Sequence, residues 1–460
     1  MNRLVTSLAL SACVALSACS TVSSMAGSVW PFGKDEGPQA VASQGERIPI
    51  LALDNQLAAS PTLAGADFYL PDPQPVAAWP LPGGGAQSVM EHVAAAPSFQ
   101  IAWRRDIGEG SSRGAAVTAP PVALDGRIYT MDGEARVVAS DASNGARVWE
   151  ADLSDKSGRD REAFGGGLAV GDGKIVVSSG FRFVAALDAA TGRELWRTKT
   201  DSPVHAAPTI AGARAFVVDV DNEIHAIDLA TGEVVWSFKA IVEPARILRA
   251  SSPAVEGEAI VTPFSSGELV ALRAANGNQL WSETLSRTSR TSALSEIRDI
   301  AGRPAVYRGD VYAVSHSGVF AAVDVRTGQR RWDLPVSSTN TPWPAGDAVF
   351  LVSQNGEAMA VNRESGQVYW VVDLNKGRTY SEGGVFGLYD RQARPIWTGP
   401  VLASNRLIII NDRGLALALD PKTGREVGTL DIGAAAYIQP IALGDTLYLV
   451  NDKAELIAIR

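Results

Sequence analysis

A phrase of the form Asp-x-x-Thr-Gly-x-x-x-Trp recurs along this chain, and it constrains the fold more than any other feature. It reads Asp141 to Asn144-Gly145 to Trp149, Asp188 to Thr191-Gly192 to Trp196, and Asp228 to Thr231-Gly232 to Trp236. Weaker copies are Arg273 to Asn276-Gly277 to Trp281, Asp324 to Thr327-Gly328 to Trp332, and Asn362 to Ser365-Gly366 to Trp370. A seventh, Asp420 to Thr423-Gly424, carries Gly428 at the tryptophan position. The glycines are spaced by 47, 40, 45, 51, 38 and 58 residues. A period of about 46 belongs to propeller blades, whereas helical repeats of tetratricopeptide or ankyrin type run at roughly 33–34.

The residues between the phrases predict strands. Arg127-Ile128-Tyr129-Thr130 followed by Ala135 to Ala139 is one β-rich pair, and Ala215 to Val218 with Glu223 to Ile227 is another. Runs of β-branched and aromatic residues broken by Gly, Asp or Asn are hairpin signals. Within the phrase, Asp can accept a bond from the backbone two residues on, and Gly or Asn tolerates the left-handed conformation. Asp-x-x-Thr-Gly is therefore a turn, and Gly-x-x-x-Trp leads into the next strand. A tryptophan at a fixed place in each repeat supplies a large apolar plate between neighbouring blades. Single blades cannot bury both faces, so they must stack into a ring.

Counting the parts predicts the closure. After the seventh phrase comes one more hairpin, Thr446 to Val450 with Glu455 to Ile459, and no turn or tryptophan follows it. Phe99 to Trp103, ahead of the first full hairpin, is a lone strand that carries the tryptophan. Joining the two completes a blade and removes the open sheet edges that would invite aggregation. The expected fold is all-β: an eight-bladed β-propeller of four-stranded antiparallel blades, its N-terminal strand closing the last blade, with seven blades as the alternative. A length of 460 residues would ordinarily suggest two or three domains; the repeats override that expectation and assign residues 98–460 to one ring.

The start of the chain predicts secretion. Met1-Asn2-Arg3 is a short basic opening, and Leu4 to Ala18 is small and apolar. That is the layout of a signal peptide, too short to span a bilayer as a helix. Its ending, Leu16-Ser17-Ala18-Cys19, resembles a bacterial lipobox, in which the cysteine is lipidated and becomes the mature N-terminus. A second Leu-Ser-Ala-Cys ends at Cys13, but cleavage there would leave an apolar region of only about six residues. Cys19 is therefore the expected anchor. By the same resemblance, Ser20 in place of Asp implies sorting to the outer membrane. Acyl chains contribute about 0.8 kcal/mol per buried methylene, enough together to hold a soluble body at a membrane surface. Both cysteines lie in this segment, which excludes a disulfide-stapled fold, thiol catalysis and cysteine-ligated zinc in the body.

A net charge of −9 argues against nucleic acid as a partner. From Ser20 to Pro97 the chain is rich in Ala, Pro, Gly, Ser and Gln, a composition that buries too little apolar surface to offset its ordering entropy. Residues 19–97 are thus expected to form a partly disordered tether, with Arg47 to Leu53 and Ala77 to Pro80 as candidates for local order.

The phrase resembles the repeat of pyrroloquinoline-quinone-type propellers, which occurs both in quinoprotein dehydrogenases and in the BamB lipoproteins of the outer-membrane β-barrel assembly machine. The combination of lipobox, low-complexity tether and a single propeller is similar to BamB. The resemblance implies a non-catalytic scaffold without cofactor, lipid-anchored on the periplasmic face of the outer membrane. Its implied partners are the POTRA domains of BamA and the rest of the Bam complex, with unfolded β-barrel clients as a further class. Ala77-Ala78-Trp79-Pro80 is similar to the Trp-Pro segment that precedes the first blade in such propellers.

A quinoprotein dehydrogenase is the alternative. Those enzymes hold a quinone and a calcium ion over the ring, usually with an adjacent-cysteine disulfide. No cysteine lies in this propeller, and the four histidines of the chain, His92, His205, His225 and His316, are scattered without ligand spacing. They are expected to be structural.

Two segments exceed the repeat period and are candidate binding loops: Leu285 to Pro304, with Arg287, Arg290, Glu296, Arg298 and Asp299, and Asn375 to Pro395, with Arg378, Tyr380, Phe386, Tyr389, Arg391 and Arg394. BamB proteins carry a Leu-x-Leu-Arg stretch in one inter-blade loop and an acidic stretch one blade later. The first matches here at Ile247-Leu248-Arg249, with Arg246 at the leading position. The second corresponds to Glu296 to Asp299, with Ala301 where a second acid is expected. The resemblance thus implies Leu248, Arg249 and Asp299 as partner-binding residues. A leucine beside an arginine offers an apolar anchor and a planar donor fork.

Overall fold

A computed structural model describes residues 57–155, 164–243, 246–247, 251–286, 297–383 and 390–460. Eight four-stranded antiparallel sheets form an eight-bladed propeller. Blades 1 to 7 take residues 122–152, 166–199, 209–239, 254–284, 305–334, 343–373 and 397–431, each in simple sequence order. Blade 8 is composite. Its three inner strands span 441–459, and its outermost strand, Ile101–Asp106, pairs antiparallel with Glu455–Ile459. Closure by the N-terminal strand is thus as the strand count requires. One feature of the second long segment was not legible in its composition: Tyr380–Gly383 pairs with Asp390–Ala393 as an extra hairpin.

The middle strands of each blade are buried on both faces, which is why Leu407 to Ile410 and Val349 to Val352 read as unbroken apolar runs. The outermost strands alternate exposed and half-buried residues. Each outer strand of blades 1 to 7 carries a β-bulge just before the tryptophan position, and blade 8 has one between Ile101 and Trp103. Bulges twist an edge away from further pairing, so every blade ends in a blunted edge.

The repeat phrase acts between blades. In the turn, one carboxylate oxygen of Asp188 accepts the backbone N–H of Thr191 at 2.9 Å and its hydroxyl at 2.7 Å. The Thr191 hydroxyl and the local amides hold the Asp188 carboxyl below the usual range. Gly192 then turns with φ of +75°, and a Cβ there would lie 2.5 Å from the ring of Trp149 in blade 1. The Trp149 indole N–H donates to Ala189 O in the same turn at 3.1 Å. The pattern repeats around the ring: Trp196 on Gly232, Trp236 on Gly277, Trp281 on Gly328, Trp332 on Gly366, Trp370 on Gly424 and Trp103 on Gly145. An alanine lies opposite each tryptophan across the strand pair, as Ala139 does for Trp149 and Ala458 for Trp103. Glycine in front and alanine behind make the slot that each indole fills.

Residues 57–97 differ from the tether their composition suggests. They pack on the ring. The Ser60 N–H donates to Val368 O at 2.8 Å on the outer edge of blade 6, and the Phe68 ring lies 4.3 Å from that of Tyr369. The segment then circles the axis, bonding in turn to the inner strands. The contacts run from Val76 O to Gly444 N and Trp79 to Ala123, through Pro80 O to Val170 N and Ala86 O to Val255 N. They continue with Gln87 O to Val306 N and finish with Val93 N to Leu402 O. Trp79, at 1% exposed, is its main apolar anchor, stacked at 6.3 Å on Trp343. The result is a strap across one end of the ring. It is ordered chiefly by backbone pairing with free inner edges, which composition does not register.

Candidate partner-binding face

The strap bonds to the far ends of the inner strands, so the opposite end of the ring is left to the inter-blade loops. There an axial cavity of about 750 Å³ opens, lined by residues from all eight blades, among them Val117, Phe164, Ser252, Trp397 and Tyr437. Arg303 lies in its wall and donates to Gln439 Oε1 at 3.3 Å. His205 and His316, separate in sequence, both line this cavity. Burial, with Arg246 nearby, pushes the His205 imidazole down to about 4, so it is neutral at physiological pH. The wall carries one described carboxylate, Asp452, which accepts a bond from the Ser111 hydroxyl.

The two loops singled out by the sequence meet at one edge of this cavity. Ile247 lines it, and the Ile247 N–H donates to the Asp299 carboxylate at 3.2 Å. Asp299 O in turn accepts the His316 N–H at 2.8 Å, and Ile300 N–H reaches Phe264 O at 3.3 Å. Asp299, which the resemblance implied as a partner-binding residue, is 3% exposed and ties one loop to the other. Burial pushes its carboxyl up to about 6, opposed by the bond from Ile247 and the charge of Arg246. Leu248, Arg249 and Cys19, the expected anchor, lie outside the described residues, as do Arg287, Arg290, Glu296, Phe386 and Tyr389. Of the second segment, Arg378 is ion-paired with Glu426, and Arg413 sits 3.5 Å over the Tyr380 ring.

Two of the histidines have assigned work. His92 is buried in the strap, where Nδ1 lies 2.6 Å from Pro71 O and Nε2 accepts the Asn405 N–H at 2.8 Å. His225 Nε2 is 3.2 Å from the Asp219 carboxylate. The cluster around His225 went unnoticed in the sequence, although one signal was there: a histidine at a strand position that is apolar in every other blade.

The family model described as outer membrane protein assembly factor BamB matches residues 90–160 and 135–372. The chain belongs to that family. Relatives named outer membrane protein assembly factor BamB include the protein of Shewanella oneidensis, 22% identical over 367 residues, covering 78% of this chain and 88% of the relative. That of Escherichia coli K12 is 24% identical over 356 residues, covering 76% of this chain and 86% of the relative. The solved structure of BamB from Moraxella catarrhalis superposes with a TM-score of 0.64 at 20% identity, over 78% of this chain and 100% of that one. The quinohemoprotein alcohol dehydrogenase of Comamonas testosteroni gives 0.63 at 13% identity, over 84% and 81%. At these identities the two structures share the architecture alone, and architecture is not activity. The BamB family assignment rests on the sequence match.

Proposed function

We propose that this BamB-family chain is a non-catalytic scaffold lipoprotein of the outer-membrane β-barrel assembly machine. In this reading it is anchored through Cys19 on the periplasmic face, with residues 20–56 as the tether. Leu248 and Arg249 engage the POTRA domains of BamA, and the scaffold assists insertion of β-barrel proteins into the outer membrane. One observation carries the assignment of the site: the Asp299 carboxylate, buried at the cavity edge, holds Ile247, the residue immediately before Leu248. A buried carboxylate bonded to a backbone amide fixes the loop stem, so Asp299 acts as a positioning residue while its neighbours make contact. Binding of clients through added strands has less support, because the outer edges are bulged.

The axial cavity keeps a quinoprotein-like reading in view, since it is of ligand size. Calcium requires six to eight oxygen ligands rich in carboxylates, and the described wall supplies only Asp452, already bonded to Ser111. The residues do not fit that cofactor pair. The test is co-purification from detergent-solubilised outer membranes. Wild type should retain BamA, and Leu248→Ala with Arg249→Ala should release it at unchanged Tm. Retention by the double variant would remove the loop from the interface. A visible absorption band on adding quinone and calcium would favour the enzyme reading.

A further inference from the structure

Among the described residues, one group of three side chains could hold a metal ion: Asp219, Glu223 and His225 in blade 3, whose ligand atoms lie within 4.8 Å of one another. Repeat chemistry explains part of this group. Asp219 Oδ1 accepts the N–H groups of Asp221 and Glu223 at 2.9 and 3.0 Å, which shapes the hairpin turn. Asp132 does the same in blade 1, accepting from Glu134 and Arg136. What the turn does not use is Asp219 Oδ2, and that atom faces His225 Nε2 at 3.2 Å. Glu223 Oε1 lies 4.0 Å from the other ring nitrogen.

His225 has no structural precedent in the ring. Its strand neighbour Ala226 pairs with Trp236, so its counterparts precede the matching alanines: Val138, Ala185, Val270, Ala321, Met359, Leu417 and Ile457. All seven are buried and apolar. Blade 1 is the informative case, because it builds the same aspartate turn over a valine. The hairpin therefore does not need the imidazole.

A second observation lies on the inner side of Asp219. A void of about 30 Å³ is lined by Asp219, Asn222, Arg246, Ser251 and Asp299. Ser251 is 5% exposed, and its hydroxyl has no hydrogen-bond partner. A space of that size holds one solvent molecule, and a hydroxyl without a partner in such a space calls for one.

We infer that Asp219, Glu223 and His225 form a binding site for a divalent transition-metal ion of the zinc type. Two carboxylates and one imidazole are hard-to-borderline donors suited to zinc, bound at about 2.0–2.2 Å in tetrahedral geometry. Three such ligands stand roughly 3.3–3.6 Å apart, so the side chains close on the ion by small rotations. Glu223 and His225 are partly exposed, so the fourth position falls to solvent. Lys239, with Nζ 3.7 Å from Glu223 and largely in solvent, is the competing cation and swings away on binding. Of the three ligands Asp219 alone borders the void, beside Arg246, Ile247 and Asp299, so fixing Asp219 on an ion stiffens that wall at the stem of the loop.

Isothermal titration of the full-length protein with zinc chloride in chelator-stripped buffer tests the site. Wild type is expected to take up one zinc with micromolar or tighter affinity. His225→Val, which copies blade 1 and so preserves the fold, should weaken that binding by ~100-fold, and Glu223→Gln should weaken it less. Lys239→Met should tighten it, and His316→Gln should leave it unchanged. Zinc uptake by His225→Val equal to wild type, or no stoichiometric uptake by wild type at micromolar zinc, would overturn the site. Neither result bears on BamA co-purification, so the two readings stand or fall separately.

Discussion

Seven of the eight junctions between blades are built alike, and the eighth is not. At the seven, a tryptophan from one blade covers the turn glycine of the next and donates its indole N–H to a carbonyl of that turn. Between blades 7 and 8 both halves are missing. Blade 7 has Gly428 in place of tryptophan, and blade 8 has no such turn, because its last two strands come from opposite ends of the chain. Phe99 fills the gap instead, 3.7 Å from where a Gly428 Cβ would stand, with Arg406 5.4 Å over its ring. Two departures that look unrelated in the sequence are therefore one. The Trp and Gly of a single phrase never touch each other: each serves a different neighbour, and when closure removes the glycine the reason for the tryptophan goes with it.

The strongest way to break the comparison is to delete an aromatic from each kind of junction. Trp281→Ala and Phe99→Ala each remove a buried ring, and each should cost about 3–5 kcal/mol in urea denaturation. They should differ in where the ring opens. Phe99→Ala should raise amide exchange along Ile101–Asp106 and its partner Glu455–Ile459, whereas Trp281→Ala should leave that seam protected. A common exchange pattern for the two would mean that closure is no weaker than any other junction. Gly192→Ala combined with Trp149→Ala should cost less than the two single changes together, since the clash at 2.5 Å is with the Trp149 ring and vanishes with the indole.

A gentler change makes the eighth junction imitate the others. Gly428→Trp restores the phrase but offers the indole no glycine to cover and meets Phe99 and Ala418. Overpacking of this kind costs about 1–3 kcal/mol, so the consensus residue should lower Tm here. A rise in Tm would show that the slot exists without its glycine.

The ring was legible in the sequence because its logic is local and repeated: Asp188 and Gly192 announce a turn, and Trp196 announces a plate. Even the closure could be read, since Trp103 was a tryptophan without a hairpin. The strap could not. Its order depends on amides such as Trp79 N pairing with Ala123 O on an inner edge that exists only once the ring has formed, and its Pro, Gly and Ala content reads as disorder. The burial of Asp299 was hidden for a similar reason, because an acid in a polar loop gives no sign of a carboxylate turned inward onto a neighbouring loop. His225 was visible but lost meaning until eight aligned strands showed that position to be apolar elsewhere.

Strap and ring also carry different sets of titrating groups. Burial is the main cause that holds His92 below its ordinary pKa of 6.5, and Nε2 must stay unprotonated to accept the Asn405 N–H. Its contribution is complete above about pH 6.5 and is lost as the pH falls below that value, because the unfolded chain then binds the proton more readily. His205 acts in the same direction down to about 4. Asp299, raised to about 6, acts in the opposite one. The strap is therefore isolated by subtraction: His92→Gln keeps an acceptor but does not titrate. Between pH 7 and 5, wild type should lose more stability than this variant, with proteolysis beginning in residues 71–93. Parallel curves would assign the acid response to the ring.

The smallest effect concerns a turn that departs from the phrase while its junction remains intact. Blade 4 has Arg273 where the others have Asp or Asn, yet Trp236 still docks on Gly277 and still donates to Ala274 O at 3.1 Å. The backbone bond from Gly277 N–H to Arg273 O is also kept, at 2.9 Å. What the arginine lacks is a side-chain acceptor for the amides of Ala275 and Asn276, which Asp228 supplies to Ala230 and Thr231 in blade 3. Its own ion pair with Glu258, 3.8 Å and exposed, is worth little. Arg273→Asp should therefore stabilise the ring by about 0.5–1 kcal/mol, read as a small rise in Tm. The gain should persist when Trp236 is replaced by alanine, because the aspartate shapes the turn whereas the glycine and tryptophan join the blades.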